Sequence, residues 1–356
     1  MAREQTTSPN PASGGPVLPG AADARMPAVD EASGPKGVAG AARLLVMPLA
    51  ARLSYAVYRR YFEIVRADTP ELRDEVYRLR YQVYVEEHGF ERAEDFPDKR
   101  ERDRFDARSL HVLLRHRASG TPIGTARLVR PDYAKPLESF PIQAASDHPV
   151  LHNAEVALYA AELSRLAISK RRLKECGTAR GPFAWATLDP ARRTNRLRRA
   201  FSRLLLPYLS VGLIAGVIEM AAEKGYPILY TIMEPFLIAN MSKIGVNFPV
   251  IGEAVEYHGL RHPAVLPSLA DAIGELKKRD RAAWEIITNR GRTQALALDA
   301  ELSNPPARRA VMRAFHLSGL PVPVQLETPK PSRRRKKKLA AEPGPSGPSG
   351  PVPRAA

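Results

Sequence analysis

Residues 161–172 read AELSRLAISKRR, an apolar stretch of β type broken by Glu162, Ser164 and Arg165 and closed by a basic cluster. Alternate side chains of a strand point to opposite faces, so Glu162 and Ser164 are expected on one face and Arg165 on the other with Leu163 and Ala167. Burying a carboxylate and a guanidinium in a sheet is costly unless each is paired and hydrogen-bonded. Such a strand either builds an internal ion pair, with Arg165 on an acid such as Glu155 or Asp106 and Glu162 exposed at the strand end, or poises these groups for chemistry.

The surrounding pattern supplies a sheet for this strand. YFEIVRA, 61–67, reads as a short strand. A helix starts at Asp68 or Thr69, with Glu71 placed to complete a capping box with Asp68; Leu72, Val76, Leu79 and Val83 form its apolar stripe and Gly89 ends it. The charged, aperiodic stretch 91–107 reads as a loop able to fold over a site. Residues 109–115 and 122–130 form a hairpin, turning at Ser119-Gly120. After the 161–172 stretch come a basic segment, 170–200, an apolar helix, 201–223, a strand, 226–232, a helix, 235–244, and a final strand pair or extended segment in FPVIGEAVEYHG, 248–259. Residues 269–318 read as helical. The order β-α-β-β-β-α-β-α-β predicts an α/β fold, a mixed central sheet with helices on both faces and a helical C-terminal extension.

Charge and composition bound the partners. Of the net +16, residues 321–356 carry +6 and residues 171–200 carry +7, so the remainder of the 356-residue chain is near neutral. Residues 1–40 and 327–356 are rich in Pro and Gly without apolar period and are expected to be disordered termini. Between them the chain divides into a domain over 41–268 and a helical extension over 269–326. Residues 41–60 suit an amphipathic helix lying on the domain or on a membrane surface. The single Cys176 forms no internal disulfide, which favours the cytoplasm. Leu204–Ile218, an uncharged run rich in apolar residues, is too short to span a bilayer. His258 and His262 are four apart, but Gly259 and Pro263 argue against a helical metal site, so no metal is predicted. Cys176 lacks a nameable triad partner, and Tyr208, Tyr230 and Tyr257 are general-acid candidates that read equally as core or rim residues.

Four blocks, LRDEVYRLRYQVYVEEHGFE, IGTARLVRP, ELSRLAIS and YTIMEPFL, occur in an order that resembles acyl-homoserine lactone synthases and long-chain N-acyl amino acid synthases, and more closely the acyltransferases associated with bacterial PEP-CTERM/exosortase systems. The resemblance covers about residues 62–262. It implies the GNAT fold and a cleft between central strands that takes an acyl-pantetheine thioester as co-substrate, with no permanently bound cofactor. Carried over by position, Glu162, Ser164 and Arg165 are catalytic candidates, and Arg73, Tyr77, Arg80 and Arg127 are substrate-binding candidates. Val83 stands where lactone synthases have tryptophan, and the acids after the helix are shifted, with Glu91, Glu94, Asp95 and Asp106 as candidates; both departures speak against S-adenosylmethionine recognition and lactone formation. The stretch SKRRLKECGTARG lacks closely spaced glycines for a nucleotide pyrophosphate, which favours an acyl carrier protein over coenzyme A as donor.

The expected reaction is therefore N-acyl transfer from a carrier-protein thioester to a small amine, with an amino acid the leading acceptor. In it Glu162 acts as base, Arg165 or Ser164 with backbone N–H groups stabilises the oxyanion, and Arg127 or Arg73 holds an acceptor carboxylate. Lys170, Arg171, Arg172 and Lys174 are placed to dock an acidic carrier protein. The rival is a non-enzymatic protein binding anionic membrane or nucleic acid through Arg333–Lys338 and the arginines at 192–199. No nucleic-acid motif accompanies them, so specific nucleic-acid binding is not expected, whereas a peripheral position on the inner membrane is.

Overall fold

Thr69 caps the first helix. In the computed structural model, which describes residues 56, 58–178, 196–303, 305–317 and 319, its side chain accepts the Leu72 N–H at 3.3 Å, with Pro70 opening the helix α1 (Pro70–Tyr81). The cap is thus Thr69 rather than an Asp68–Glu71 box. Leu72, Val76 and Leu79, together with Val83, pack on Ala67, Leu113 and Ala167, as the apolar spacing requires. The helix widens into a π-helical turn, Gln82–Glu87, and Gly89 ends it at φ +63.

Among the described residues, seven strands form one sheet: β1 (Phe62–Arg66), β2 (Ser109–His116), β3 (Pro122–Val129), β4 (Ala160–Ile168), β5 (Ile228–Met233), β6 (Val255–Glu256) and β7 (Leu260–Leu266). Their order is β1-β2-β3-β4-β5-β7-β6. Neighbours are antiparallel except β4 and β5, which run parallel. The closing strand lies later than expected, at Leu260–Leu266. Pro263 disguises it; the proline carbonyl accepts the Ile251 N–H at 2.9 Å, and the Ile251 carbonyl, which a proline nitrogen cannot serve, accepts the Ser146 hydroxyl at 3.0 Å instead.

The short helix α2 (Ala154–Ala157) leads into β4, and α3 (Lys170–Thr178) leaves it. The basic stretch therefore opens as a helix, with Ser169 Oγ accepting the Arg172 N–H at 3.0 Å as its cap. The long helix α4 (Arg196–Glu223) covers the sheet face opposite α1, burying Leu213 and Val217 with Val112, Leu114 and Leu128. Gly216 permits this approach: a Cβ there would lie 2.7 Å from Ile64 Cγ2 and 3.0 Å from Val112 Cγ1. Helix α5 (Pro235–Lys243) follows β5 directly.

The C-terminal helices α6 (Leu269–Arg279), α7 (Arg281–Ile287) and α8 (Arg292–Leu302) extend the α4 layer, sharing its core through Leu269, Ile273, Trp284 and Ile287. Helix α9 (Pro305–Leu317) instead joins a second core, where Phe315 meets Phe140, Val156 and Tyr230. The architecture is a mixed α/β sheet with helices on both faces and a helical C-terminal region. The expected disordered segments 1–40 and 327–356, most of the 41–60 helix and residues 179–195 lie outside the described residues.

Candidate active site

Strand β4 does not keep its alternation. Its register against β3 steps from Arg127↔Ser164 to Thr125↔Ala167, so Arg165 and Leu166 together face Ala126. This is a β-bulge. Arg165 adopts φ +51, in the left-handed region that strains a residue with a Cβ. Before the bulge, Ala161 and Leu163 point to the α4 core; after it, Ala167 packs against α1. Arg165 therefore shares the α1 face with Ser164 and Arg127. Strict alternation, which places it beside Leu163, fails because one extra residue shifts the parity.

On that face three arginines meet three acids. Arg127 donates to Ser164 Oγ (3.1 Å), Asp103 (2.7 Å) and Asp106 (2.9 Å). Arg80 donates to Glu101 and, at 2.7 Å, to Asp106. Arg165 donates to Glu101 and Asp103, each at 3.2 Å, and to the Tyr257 hydroxyl at 3.1 Å, its guanidinium 5.6 Å from the Tyr84 ring centre. Burial alone raises a carboxyl pKa, but here the guanidinium charges outweigh it: Arg80 and Arg165 hold Glu101 low, Arg127 holds Asp103 low, and Arg80 and Arg127 hold Asp106 far below the usual range. His111, 3.6 Å from Asp106, is pushed down to about 3 by burial and by Arg80, and stays neutral.

Glu162 is the counter-case. It is 1% exposed, not exposed at a strand end, and Ile142 N–H donates to its Oε2 at 2.9 Å. Burial outweighs that bond and the more distant arginines, so its carboxyl rises to about 7.

The sheet opens beside these groups. Pairing of β4 with β5 ends at Leu163↔Thr231, although β4 continues to Ile168 and β5 to Met233. Past that point lies a cleft of about 870 Å³. Residues Leu163–Leu166 form one wall, Thr231–Glu234 another, and α5 closes it with Phe236, Leu237 and Met241; Val211 of α4 and Arg261 of β7 also line it. Beyond Leu163, β4 has no partner strand on this side among the described residues, so its backbone can pair with an extended amide-bearing arm or with a developing oxyanion. Glu162 does not line the cleft; its neighbour two residues on, Ser164, does.

The other sequence candidates divide. Arg80 and Arg127 are buried and paired with acids behind the cleft, which neither lines; the Nη2 of each is buried without a hydrogen-bond partner among the described residues. Arg73 donates to its own helix start, Asp68 O, at 2.9 Å, and Tyr77 stands edge-on to His111. Asp106 belongs to the ion cluster; Glu91 pairs with His258 at 2.6 Å, and Glu94 and Asp95 are exposed on a turn. On α3, Arg171 pairs with Glu86 at 2.7 Å, Arg172 donates to Gln82 at 2.7 Å, and Lys170 and Lys174 are exposed. Glu87 accepts from Ser169 Oγ and the Lys170 N–H, anchoring the π-helical turn to the start of α3.

The Tyr230 hydroxyl is buried and donates to Val150 O at 3.1 Å, away from the cleft, and the side chain of Tyr208 lies outside the described residues. Burial pushes the Cys176 thiol up, which removes thiolate character. Sequence reasoning missed Glu101, Asp103, Glu234 and Arg261. For the first two the signal was their place in a charged loop beside a strand with buried arginines.

Residues 79–176 match the family model of the acetyltransferase (GNAT) domain. That segment holds the end of α1, the acidic loop, the β2–β3 hairpin and the bulged β4. The match covers about a quarter of the chain and is to the acetyltransferase (GNAT) domain. Among solved structures the chain is similar to TofI in a ternary complex with an inhibitor and MTA, at 21% identity and TM-score 0.40 over 66% of this chain and 98% of that one. It is similar to BjaI, a CoA-dependent acyl-homoserine lactone synthase, with MTA, at 16% identity and TM-score 0.40 over 76% and 94%. It is also similar to FeeM, an N-acyl amino acid synthase from uncultured soil microbes, at 17% identity and TM-score 0.37 over 60% and 94%. No curated protein matches the chain.

Proposed function

We propose that the protein transfers a fatty acyl group from a pantetheine thioester, carried by an acyl carrier protein, to the amine of a small acceptor, an amino acid. The observation that carries this reading is the cleft beside the β4 bulge. It joins an unpaired strand edge, suited to the amides of pantetheine, to apolar side chains of α4 and α5 suited to an acyl chain.

In the reaction the acceptor ammonium first loses a proton. Glu162, whose carboxyl titrates at about 7, takes it through a water beneath Ser164, its neighbour about 7 Å along the same face. The free amine attacks the thioester carbon. The carbonyl oxygen becomes an oxyanion held by β4 backbone N–H groups with Ser164 and Arg165 at the cleft wall. Collapse breaks the C–S bond; of the two protons on the new amide nitrogen, one leaves with the thiolate as thiol and the other stays as the amide N–H. Arg80 and Arg127 hold the acidic loop and Ser164 in place rather than touching substrate. Lys170 and Lys174 on α3 steer the acidic carrier protein. The kinship to acyltransferases accompanying PEP-CTERM/exosortase systems rests on the order of the four sequence blocks. No helix among the described residues is long and apolar enough to cross a membrane; for a lipid product we place the enzyme in the cytoplasm against the inner membrane.

The test is mass spectrometry of lipids formed when acyl carrier protein loaded with chains of different length, or the matching acyl-coenzyme A, is incubated with the protein and amino acids. New N-acyl amino acids are expected. Glu162→Gln should lower kcat by about 10²–10⁴ while the fold persists; unchanged turnover would remove Glu162 from the mechanism, and no acylated amine from any donor would remove the function.

A further inference from the structure

Neither Arg127 nor Arg73 lines the cleft, but another guanidinium with unused capacity does. Arg261 stands at the start of β7, opposite the end of β5, and lines the cleft with Ser164, Arg165 and Glu234. Its side chain is 15% exposed, and its Nε is buried without a hydrogen-bond partner. Among the described residues its one ion pair is Nη2 to Glu234 Oε1 at 3.4 Å, longer than a charge-assisted hydrogen bond, to a carboxylate that is itself 59% exposed. Arg165, the other arginine in the cleft wall, is by contrast held by Glu101, Asp103 and Tyr257.

Nε and Nη2 form one edge of the guanidinium, the edge that takes a carboxylate through two parallel hydrogen bonds. A buried donor without partner is unfavourable, and a ligand carboxylate on this edge would satisfy Nε and replace the long Glu234 contact. Lys243, the remaining cation in the lining, is exposed and donates to Asn240.

We infer that Arg261 is the specificity-determining residue for the acceptor: it clamps a carboxylate, so the amine acylated belongs to an amino acid rather than to a simple amine. This rests on the acyl-transfer reading above and assigns its acceptor class to a residue outside the sequence candidates.

Two measurements on the full chain test it. In acyl transfer, kcat/KM for an amino acid over its primary amide should be about 100-fold in the wild type, should fall to near unity in Arg261→Gln, and should lie between in Arg261→Lys, which keeps the charge but not the fork. Independently of turnover, isothermal titration calorimetry with N-dodecanoylglycine and N-dodecanoylglycinamide should show tighter binding of the carboxylate to the wild type and equal binding to Arg261→Gln.

Equal use of amino acid and amide by the wild type, or discrimination that survives in both variants, overturns the assignment and leaves acyl transfer standing. Absence of any transfer with carboxylate-selective binding retained overturns the acyl-transfer reading but not the clamp. Absence of both overturns the two together.

Discussion

Two buried acidic regions flank the same strand and ionise in opposite directions. Glu101, Asp103 and Asp106 sit among Arg80, Arg127 and Arg165, and their carboxyls are held low. Glu162, two residues before Ser164 on β4 and as deeply buried as Glu101, has one backbone N–H donor, and its carboxyl rises to about 7. Burial is common to both regions. A guanidinium in contact is what differs, and it decides whether a carboxylate is a structural anion or a group that exchanges its proton near neutrality.

Breaking the ion cluster has the largest expected effect. Arg80→Ala leaves Glu101 and Asp106 buried without their shared cation and should cost about 3–5 kcal/mol, measured as the unfolding free energy in urea. A loss below about 1 kcal/mol would mean that water replaces the guanidinium.

Next, the two regions predict opposite limbs in the pH dependence of stability. The cluster carboxylates, lowered in the folded state, contribute stability that is present above the unfolded carboxylate pKa and lost as pH falls through their low folded values. Glu162, raised from 4.5 to about 7, acts the other way: below 4.5 it is protonated in both states, and stability falls as pH rises from 4.5 to 7 because only the unfolded state releases the proton. Glu162→Gln should abolish that decline, gaining on the order of 2–3 kcal/mol at pH 8 relative to pH 4. Parallel profiles for wild type and variant would place the Glu162 carboxyl in the ordinary range.

The smallest effect concerns charges outside both regions. Reversing exposed Lys170 and Lys174 to Glu should lower kcat/KM with acyl carrier protein about tenfold at low salt, leave acyl-coenzyme A turnover unchanged, and lose its effect at high salt. Equal losses with both donors would make α3 part of the cleft rather than a docking face.

Much of the frame was legible because it is local. The stripe Leu72, Val76, Leu79 gave α1, the two runs meeting at Ser119-Gly120 gave the β2–β3 hairpin, and the helix expected over 235–244 is α5. The site was legible only as a set of residue types. The bulge at Arg165 obeys no sequence alternation, since the parity change comes from an extra residue opposite Ala126 in β3. Glu101 and Asp103 lie in a stretch with no period, and their role exists only once Arg80, Arg127 and Arg165, drawn from a helix and two strands, converge on them. Arg261 was hidden because Pro263 disguised the strand that carries it.

Amide hydrogen exchange on the wild type, with and without a non-hydrolysable acyl-pantetheine analogue, tests the central claim that the gap between β4 and β5 receives the thioester arm. Slowed exchange of at least about tenfold, concentrated in Ser164–Leu166 with a smaller effect in α5, is the predicted result. Exchange in β4 that does not change at saturating analogue, or protection confined to other elements, would contradict it.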